Sequence, residues 1–401
     1  MDTPEPRRLI ILGCTGSIGV NALDVVANLD ASSTPGPRFD VVGLAAGTRA
    51  ADLDAQCTRF TVADAAIAEP PVGWAEEPGR RTRVGPESAA QLVRDVARPG
   101  DLVIAAMVGA AGIPAVLEAI EIGCDIALAN KETLVAAGAI VTAAARKAGV
   151  EVVPIDSEHA AVHQCVRSGR TTDEISKIVL TASGGPFRTW SRDRIMSATV
   201  EQALDHPTWS MGRKVTIDSA SMMNKGLELI EAHWLFDVGA DRLDAIVHPQ
   251  SIVHSFVEFV DGSSIAQLSP PDMRMPIQYA MCHPERVGGC APSLDYATLR
   301  ELVFEPVDHD RFPAPGLALE AIRAGGTAGA TFNAANEAAV EAFLAGRIPF
   351  GRIPELVADA LGSIAAEEIH GLEDVLAADG EARRFVDARL GERRGLTKSC
   401  D

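Results

Sequence analysis

A short apolar run, Arg8-Leu-Ile-Ile-Leu12, passes straight into Gly13-Cys-Thr-Gly16-Ser-Ile-Gly19 and then into an amphipathic segment, Val20 to Leu29. Strand, glycine turn and helix in that order make one βα unit, and the unit repeats. Phe39 to Ala45 and Thr61 to Ile67 read as strands, Glu87 to Ala97 as an amphipathic helix and Leu102 to Met107 as a buried strand. Ile113 to Ile122 reads as a helix, Asp125 to Ala129 as a strand and Thr133 to Lys147 as a helix. Each helix has to recross a sheet face before the next strand can run parallel to the last, so such a chain folds as a doubly wound parallel sheet. Sheets of this kind bind ligands beyond the carboxyl ends of their strands. That gives weight to the turns at 13–19, 46–49, 108–112 and 130–132.

The first turn is spaced G-x-x-G-x-x-G, a variant of the dinucleotide fingerprint G-x-G-x-x-G. Following the first strand directly, Gly16 and the amides of Thr15, Ser17 and Ile18 can face a pyrophosphate at the helix start. A plain glycine turn is the competing reading. The next strand ends in Ala46-Gly47-Thr48-Arg49 with no carboxylate. A 2′-phosphate welcomes an arginine and a small hydroxyl there and is repelled by an acid, so Thr48 and Arg49 point to NADP. The alternative is that Arg49 merely opens a solvated helix. Within Asn130-Lys131-Glu132, Lys131 sits at a strand end and is a candidate for chemistry.

Glu151-Val-Val-Pro-Ile155 then delivers Asp156-Ser157-Glu158-His159. Two carboxylates one residue apart share a side of an extended backbone and repel each other unless a cation lies between them. His159 and His163 are four apart and offer a zinc alternative, but no HExxH or cysteine partner accompanies them. Ile178 to Ala182 reads as a strand opening into Ser183-Gly184-Gly185-Pro186-Phe187, where the glycines let amides approach an oxyanion and Ser183 adds a hydroxyl. An ordinary Gly-Gly-Pro turn would look the same. His206-Pro-Thr-Trp209-Ser-Met211-Gly212 reads as a lid with Gly212 as its hinge, against the plainer reading of a core tryptophan.

In the stretch Val215 to Glu231, Val215-Thr216-Ile217 favours strand, while Leu227, Leu229 and Ile230 favour helix, which makes Asp218 to Gly226 the turn between them. Ser219, Ser221, Asn224 and Lys225 supply the donors a phosphate monoester needs. Glu228 offers a third oxygen ligand beside Asp156 and Glu158, a hard donor set suited to Mg²⁺ or Mn²⁺, with Glu231 a spare acid. An N-cap followed by two helix-dipole acids is the other reading.

Lys and Arg number 36 against 55 Asp and Glu, a net charge of -19, which argues against a nucleic-acid surface or an anionic membrane. Any phosphate site must therefore be locally built. The seven cysteines are scattered, odd in number and free of any CxxC pair, the pattern of a reducing cytoplasm. Only Leu9 to Leu12 follows the opening MDTPEPRR as an apolar run, so no secretory segment is expected. The longest apolar run, Leu102 to Leu117, is broken by Gly109, Gly112 and Pro114 and falls short of a membrane span.

The expected organisation is α/β: a Rossmann-type dinucleotide-binding domain over 1–152, an α+β catalytic domain with a sheet over 153–285, a connector over 286–315 and a C-terminal α-helical bundle over 316–401. The catalytic sheet draws on 245–247, 251–260 and 263–268, and the bundle on helices at 317–324, 332–345, 353–366 and 372–390.

Together the motifs GCTGSIG (13–19), NKE (130–132), DSEH (156–159), ASGGPF (182–187), HPTWSMG (206–212), DSASMMNKGLELIEA (218–232), HPQSIVHS (248–255), SPPDMRMPIQYA (269–280) and FNAANEAAV (332–340) carry a resemblance. In that order they are similar to 1-deoxy-D-xylulose 5-phosphate reductoisomerases, NADPH enzymes of non-mevalonate isoprenoid synthesis. Departures are mild: Cys14 where a small hydroxyl is common, Ser221 for Thr, and a polar tail, Lys398 to Asp401.

The resemblance implies NADPH, Mg²⁺ or Mn²⁺, a small phosphorylated substrate and a homodimer. It implies that Asp156, Glu158 and Glu228 hold the ion and that Lys131 and Ser157 touch the reacting oxygens. Ser183, Ser219, Asn224 and Lys225 would hold the phosphate, and His206, Trp209 and Met211 would belong to the closing loop. Thr15, Gly16, Ser17, Ile18, Gly47, Thr48, Arg49, Asn130, Lys131, Glu132 and Gly212 would line the NADPH site, with Met273 near the nicotinamide on resemblance alone. The implied reaction yields 2-C-methyl-D-erythritol 4-phosphate, and retro-aldol/aldol and ketol-migration routes both need the same clamp. Two rival readings are an NADP dehydrogenase that reduces without rearrangement, and a dinucleotide sensor, for which the acids and phosphate donors have no use.

Overall fold

The computed structural model describes residues 5–33, 36–209 and 211–396; residues 1–4, 34–35, Ser210 and 397–401, which include the tail Lys398 to Asp401, lie outside the described residues. Two compact units emerge: Met1–Thr133, Val141–His163 and Asp272–Ser293 form unit 1, and Leu134–Ile140, Gln164–Pro271 and Leu294–Asp401 form unit 2.

Unit 1 is built on β1 (Arg7–Leu12), α1 (Ser17–Ala31), β2 (Phe39–Ala46), α2 (Ala50–Phe60), β3 (Asp64–Ile67), β4 (Arg81–Val84), α3 (Ser88–Val96), β5 (Leu102–Ala105), α4 (Ile113–Ile122) and β6 (Asp125–Leu128). α5 (Lys131–Ala148, of which Leu134–Ile140 are counted in unit 2), β7 (Val152–Pro154) and α6 (Ser157–Val166, in unit 1 up to His163) follow, and α11 (Arg274–Cys282) joins the unit from farther along the chain. The seven strands are all parallel, ordered β4-β3-β2-β1-β5-β6-β7. β3 and β5 are buried throughout and β1 from Leu9 onward, apolar but for Asp64, as befits a parallel sheet covered by helices on both faces. The strand order reverses between β1 and β5, which opens a crevice at their carboxyl ends.

β4, reading RTRV, was not expected, since its polar residues carry no apolar period. It closes the sheet edge by charge: Arg81 and Arg83 pair with Asp64 at 2.5 and 2.7 Å, and Arg83 pairs with Asp95 at 2.9 Å. β3 starts later than expected, because Thr61 takes a left-handed conformation (φ 57°) that ends α2.

Unit 2 holds β8 (Ile175–Ala182), α7 (Arg192–Met196), α8 (Val200–Leu204), α9 (Arg213–Ala220), α10 (Met223–Phe236), β9 (Leu243–Val247), β10 (Val253–Phe259) and β11 (Ser264–Leu268). After these come β12 (Glu305–Pro306), α12 (Ala314–Ala324), α13 (Ala328–Leu344), α14 (Arg352–Ser363) and α15 (Leu372–Leu396). Its mixed sheet runs β11-β10-β8-β9-β12, parallel only between β8 and β9. Among the described residues no helix is long and apolar enough to cross a membrane.

One expectation fails here: Val215-Thr216-Ile217 is helix, not strand. Thr216, Ile217 and Ala220 are buried at helical spacing, and the Thr216 hydroxyl donates back to the Gly212 carbonyl at 3.0 Å. β-branching disfavours helix by only about 0.5 kcal/mol per residue, which burial of Ile217 at about 1.5–3 kcal/mol outweighs. The break comes at Met222, left-handed at φ 61°, with α10 starting on the next residue.

Candidate active site

At the carboxyl end of β1 the chain turns through Gly13, whose φ of +91° and closeness to the Ala106 backbone admit no side chain. The Gly13 and Cys14 amides both donate to the Ala45 carbonyl, at 2.8 and 2.9 Å, and the Gly16 amide donates to the Gly13 carbonyl at 3.0 Å. Gly16 then stands at the N-cap of α1, with Ser17 exposed and Thr15 buried beneath. A helix N-terminus at the crevice of a doubly wound sheet is an anion site by construction. Cys14 is fully buried, and that burial holds its thiol far above its ordinary range.

Gly47, Thr48 and Arg49 are exposed just past β2. Arg49 caps α2 and meets Asp52 at 3.6 Å, with both side chains 56% exposed. Such a pair is worth at most about 1 kcal/mol and yields readily to a stronger anion.

Asn130 caps α5: its Oδ1 accepts from the Thr133 amide at 3.1 Å, while its Nδ2 donates to the Met107 carbonyl and to that of Gly109 at 3.1 Å. Nδ2 also reaches Glu132 Oε2 at 3.2 Å. Asn130 thus fastens the turn after β5 to the turn after β6, a role that the asparagine ahead of a helical pattern only half signals. Met273 stands at the N-cap of α11, partly buried against the core of unit 1.

Asp156 and Glu158 were expected on extended backbone, and that is corrected: α6 begins at Ser157, and the Asp156 carbonyl accepts from the Ala160 amide at 2.8 Å. The pair nonetheless converges, with a carboxylate oxygen of each within 4.8 Å of the other. Lys131 Nζ reaches Asp156 Oδ2 at 2.5 Å, and the Ser157 hydroxyl donates to Glu158 Oε2 at 2.5 Å. Lys131 is 11% exposed, so it serves the neighbouring carboxylate rather than the solvent.

In unit 2 the loop after β8 carries Ser183. Its Oγ lies 3.1 Å from His206 Nε2 and accepts from the Gly185 amide at 3.2 Å. His206 Nδ1 accepts from the backbone amides of Thr208 and Trp209 at 3.2 and 2.9 Å. That fixes the neutral tautomer with its proton on Nε2, which donates to Ser183. Burial pushes the His206 pKa below its ordinary value, in keeping with the neutral form. Both bonds at Ser183 Oγ are ones it accepts, so its own hydroxyl proton is left to donate to another group. Trp209 lies against His254, ring centroids 6.5 Å apart, with Met211 half-buried and Gly212 exposed.

The loop also abuts the end of α9: a Cβ on Gly185, where φ is +63°, would stand 2.7 Å from the Ser219 carbonyl oxygen. Ser183 and Ser219 are therefore held by one backbone contact. Next along α10, Asn224 and Lys225 both donate to Glu228, which is 1% exposed. Ser221 caps the break instead, its hydroxyl donating to the Ile217 carbonyl at 3.0 Å. Sequence reasoning passed over the brace beneath this site. The buried Asp218 meets Lys214 at 3.0 Å and accepts from Asn336 Nδ2 at 2.9 Å, tying α9 to α13. The signal was the asparagine pair in an otherwise apolar FNAANEAAV run.

Three family models match in chain order: 1-deoxy-D-xylulose 5-phosphate reductoisomerase over residues 9–138, its C-terminal domain over 152–236, and the DXP reductoisomerase C-terminal domain over 268–385. A 1-deoxy-D-xylulose 5-phosphate reductoisomerase of Rhodococcus jostii (strain RHA1) is 50% identical over 390 residues, 96% of this chain and 94% of the relative. One of Mycobacterium avium (strain 104) is 48% identical, over 99% and 97%. Among solved structures, the Zymomonas mobilis enzyme in complex with NADPH aligns at a TM-score of 0.85 and 40% identity, covering 96% of this chain and 99% of its own. A DOX-P reductoisomerase in complex with NADPH, fosmidomycin and magnesium aligns at 0.88 and 38% identity, covering 98% and 100%. With half its residues shared over nearly the full length of such a relative, the chain belongs to the 1-deoxy-D-xylulose 5-phosphate reductoisomerase family.

Proposed function

We propose that this chain rearranges and reduces 1-deoxy-D-xylulose 5-phosphate to 2-C-methyl-D-erythritol 4-phosphate, using NADPH and Mg²⁺ or Mn²⁺, as a cytoplasmic homodimer. The observation that carries this reading is the near-full-length likeness to enzymes of that name, one of them solved with NADPH, fosmidomycin and magnesium. The six described cysteines, all free thiols, support a reducing compartment.

Thr15, Gly16, Ser17 and Ile18, on the turn 13–19, would hold the pyrophosphate of NADPH, and Gly47, Thr48 and Arg49 its 2′-phosphate. Asn130 and Glu132 would support the cofactor through the turn they fasten, and Met273 and Gly212 are the groups assigned to its nicotinamide end by family resemblance. When bound, NADPH supplies the hydride. Asp156, Glu158 and Glu228 offer only carboxylate oxygens, which fits a hard divalent cation, and the closeness of the first two calls for a positive charge between them. When bound, that cation supplies Lewis acidity toward the substrate's ketone and hydroxyl oxygens.

The chain's own groups do the rest. Lys131 and Ser157 would meet the reacting oxygens and hold the charge that builds there, Ser157 by turning its one hydroxyl proton away from Glu158 once the cation engages that carboxylate. Ser183, Ser219, Asn224 and Lys225 donate to the phosphate, with the Nε2–H of His206 setting the direction of Ser183. Closure of Trp209 and Met211 over the site excludes water, drawing on phosphate binding energy remote from the reacting carbon.

Glu228→Gln is expected to lose turnover while NADPH still binds. The assay follows NADPH oxidation with deoxyxylulose phosphate, with and without Mn²⁺; full activity in the variant removes Glu228 from the cation site. Reduction that proceeds unchanged without a divalent cation would favour a plain NADP dehydrogenase. Sedimentation at the monomer mass would remove the homodimer.

A further inference from the structure

Unit 1 carries a half-buried imidazole–phenol cluster that none of these roles uses. His163, on α6, and Tyr279, on α11, are hydrogen-bonded through Nδ1 and Oη at 2.7 Å, their rings meeting edge to face at 5.7 Å. His283, at the C-cap of α11, packs edge-on against both rings at 5.1 and 5.6 Å, and its Nε2 lies 3.6 Å from Glu151 Oε2. The Arg286 guanidinium stands 5.5 Å from the Tyr279 ring centroid. Tyr279 is 8% exposed.

The two helices that this bond joins lead to different ligands. α6 opens with Ser157 and Glu158, directly after Asp156, and His163 lies under two turns farther on. A helix that short is a rigid rod, so an anchor at His163 sets where its first turn points. α11 opens at Met273, and its Ile277, Ala280 and Met281 share a core with Ala22, Val25, Val26 and Leu29 of α1, the helix that starts at the glycine turn. One face of α11 thus rests on the nucleotide helix. The Tyr279 hydroxyl is its polar tie to the helix of the carboxylates.

We propose that Tyr279 and His163 are a positioning pair through which NADPH binding and divalent-cation binding strengthen each other. This rests on the reading above of which groups take the nucleotide and the ion. If nucleotide binding settles α11, the tie settles α6, and Asp156 and Glu158 are presented in one arrangement instead of several. Linkage then requires the cation to tighten NADPH by the same factor. A single part-buried hydrogen bond carries a few-fold effect, not orders of magnitude.

The test needs no substrate. NADPH affinity of the full-length protein is measured by nicotinamide fluorescence with and without Mn²⁺. In the unaltered protein Mn²⁺ is expected to tighten NADPH about three- to tenfold, and Tyr279→Phe, which removes one oxygen and leaves the ring, to bring that ratio close to one. His163→Leu should do the same, while His163→Asn, which keeps a polar atom near Nδ1, should retain most of the ratio. A general loosening would weaken NADPH equally with and without Mn²⁺ and leave the ratio standing. A ratio of one in the unaltered protein, or an undiminished ratio in Tyr279→Phe, overturns the pair. Mn²⁺-dependent turnover of deoxyxylulose phosphate by the unaltered protein, assayed in parallel, tells failure of the pair from failure of the reaction assigned above.

Discussion

Gly185→Ala is the perturbation whose outcome the geometry fixes most tightly. At φ +63° an alanine is disfavoured by about 1–2 kcal/mol before any contact is considered. Its Cβ would then stand 2.7 Å from the Ser219 carbonyl oxygen, about 0.7 Å short of an ordinary 3.4 Å contact. The obstructing atom is backbone, so no rotamer relieves it and the loop has to move away from α9. Ser183 moves with it, because its Oγ is held by the Gly185 amide. Ser183 and Ser219 can then no longer meet one phosphate together, and loss of one charge-assisted hydrogen bond is worth about 1.5–3 kcal/mol. That corresponds to a fall of roughly 10- to 100-fold in kcat/KM for deoxyxylulose phosphate. Gly184→Ala serves as the control. There φ is +82°, but the Cβ would meet only side chains, Arg188 Cδ at 2.8 Å and Val247 Cγ1 at 3.0 Å, which can turn aside. Its fall should stay smaller than that of Gly185→Ala, reflecting the left-handed backbone alone. Steady-state kinetics on both variants, with NADPH affinity measured alongside and expected to be unchanged, decide the matter. A Gly185→Ala enzyme within twofold of the parent, or Gly184→Ala as the worse of the two, would refute the shared phosphate loop.

Other outcomes follow from the same geometry. Arg49→Gln should weaken NADPH about 10- to 100-fold and leave NADH use unchanged, since the exposed pair with Asp52 contributes little to stability; equal losses for both nucleotides would take Arg49 off the 2′-phosphate. Asn130→Ala removes a helix cap and the tie to the Met107 and Gly109 carbonyls, so stability should drop by about 1–2 kcal/mol and KM for NADPH should rise; denaturant melts and kinetics measure the two. His206 should titrate below its ordinary value of 6.5 in a chemical-shift experiment on the folded protein. Because the folded pKa is the lower one, the unfolded chain binds the proton first as pH falls. The stabilisation from neutral His206 is thus complete above about 6.5 and is lost progressively as pH drops from there toward the folded value. A midpoint at or above 6.5 would mean that Nδ1 does not stay the acceptor for Thr208 and Trp209.

The parallel sheet was legible because β1, β2, β5 and β6 are apolar runs closed by turn residues, a pattern that burial on both faces imposes directly on sequence. β4 escaped because an edge strand needs no apolar residues, and its arginines are there for Asp64 and Asp95. Val215 to Ile217 misled through local propensity, a weak preference that packing of Thr216, Ile217 and Ala220 reverses. The acids at 156 and 158 show a different limit. Read as extended backbone they point the same way by strand alternation, yet they sit at a helix start, where two positions apart usually means divergent directions. Their oxygens meet even so, because Asp156 precedes the first helical residue and is not bound to helical geometry. The chemical demand of two carboxylates for one cation was therefore a firmer guide than the backbone inferred to satisfy it. The same holds for Asp218, whose neighbours Lys214 and Asn336 lie 4 and 118 residues away. A buried carboxylate has to find partners of that kind, and only the fold decides which segments supply them.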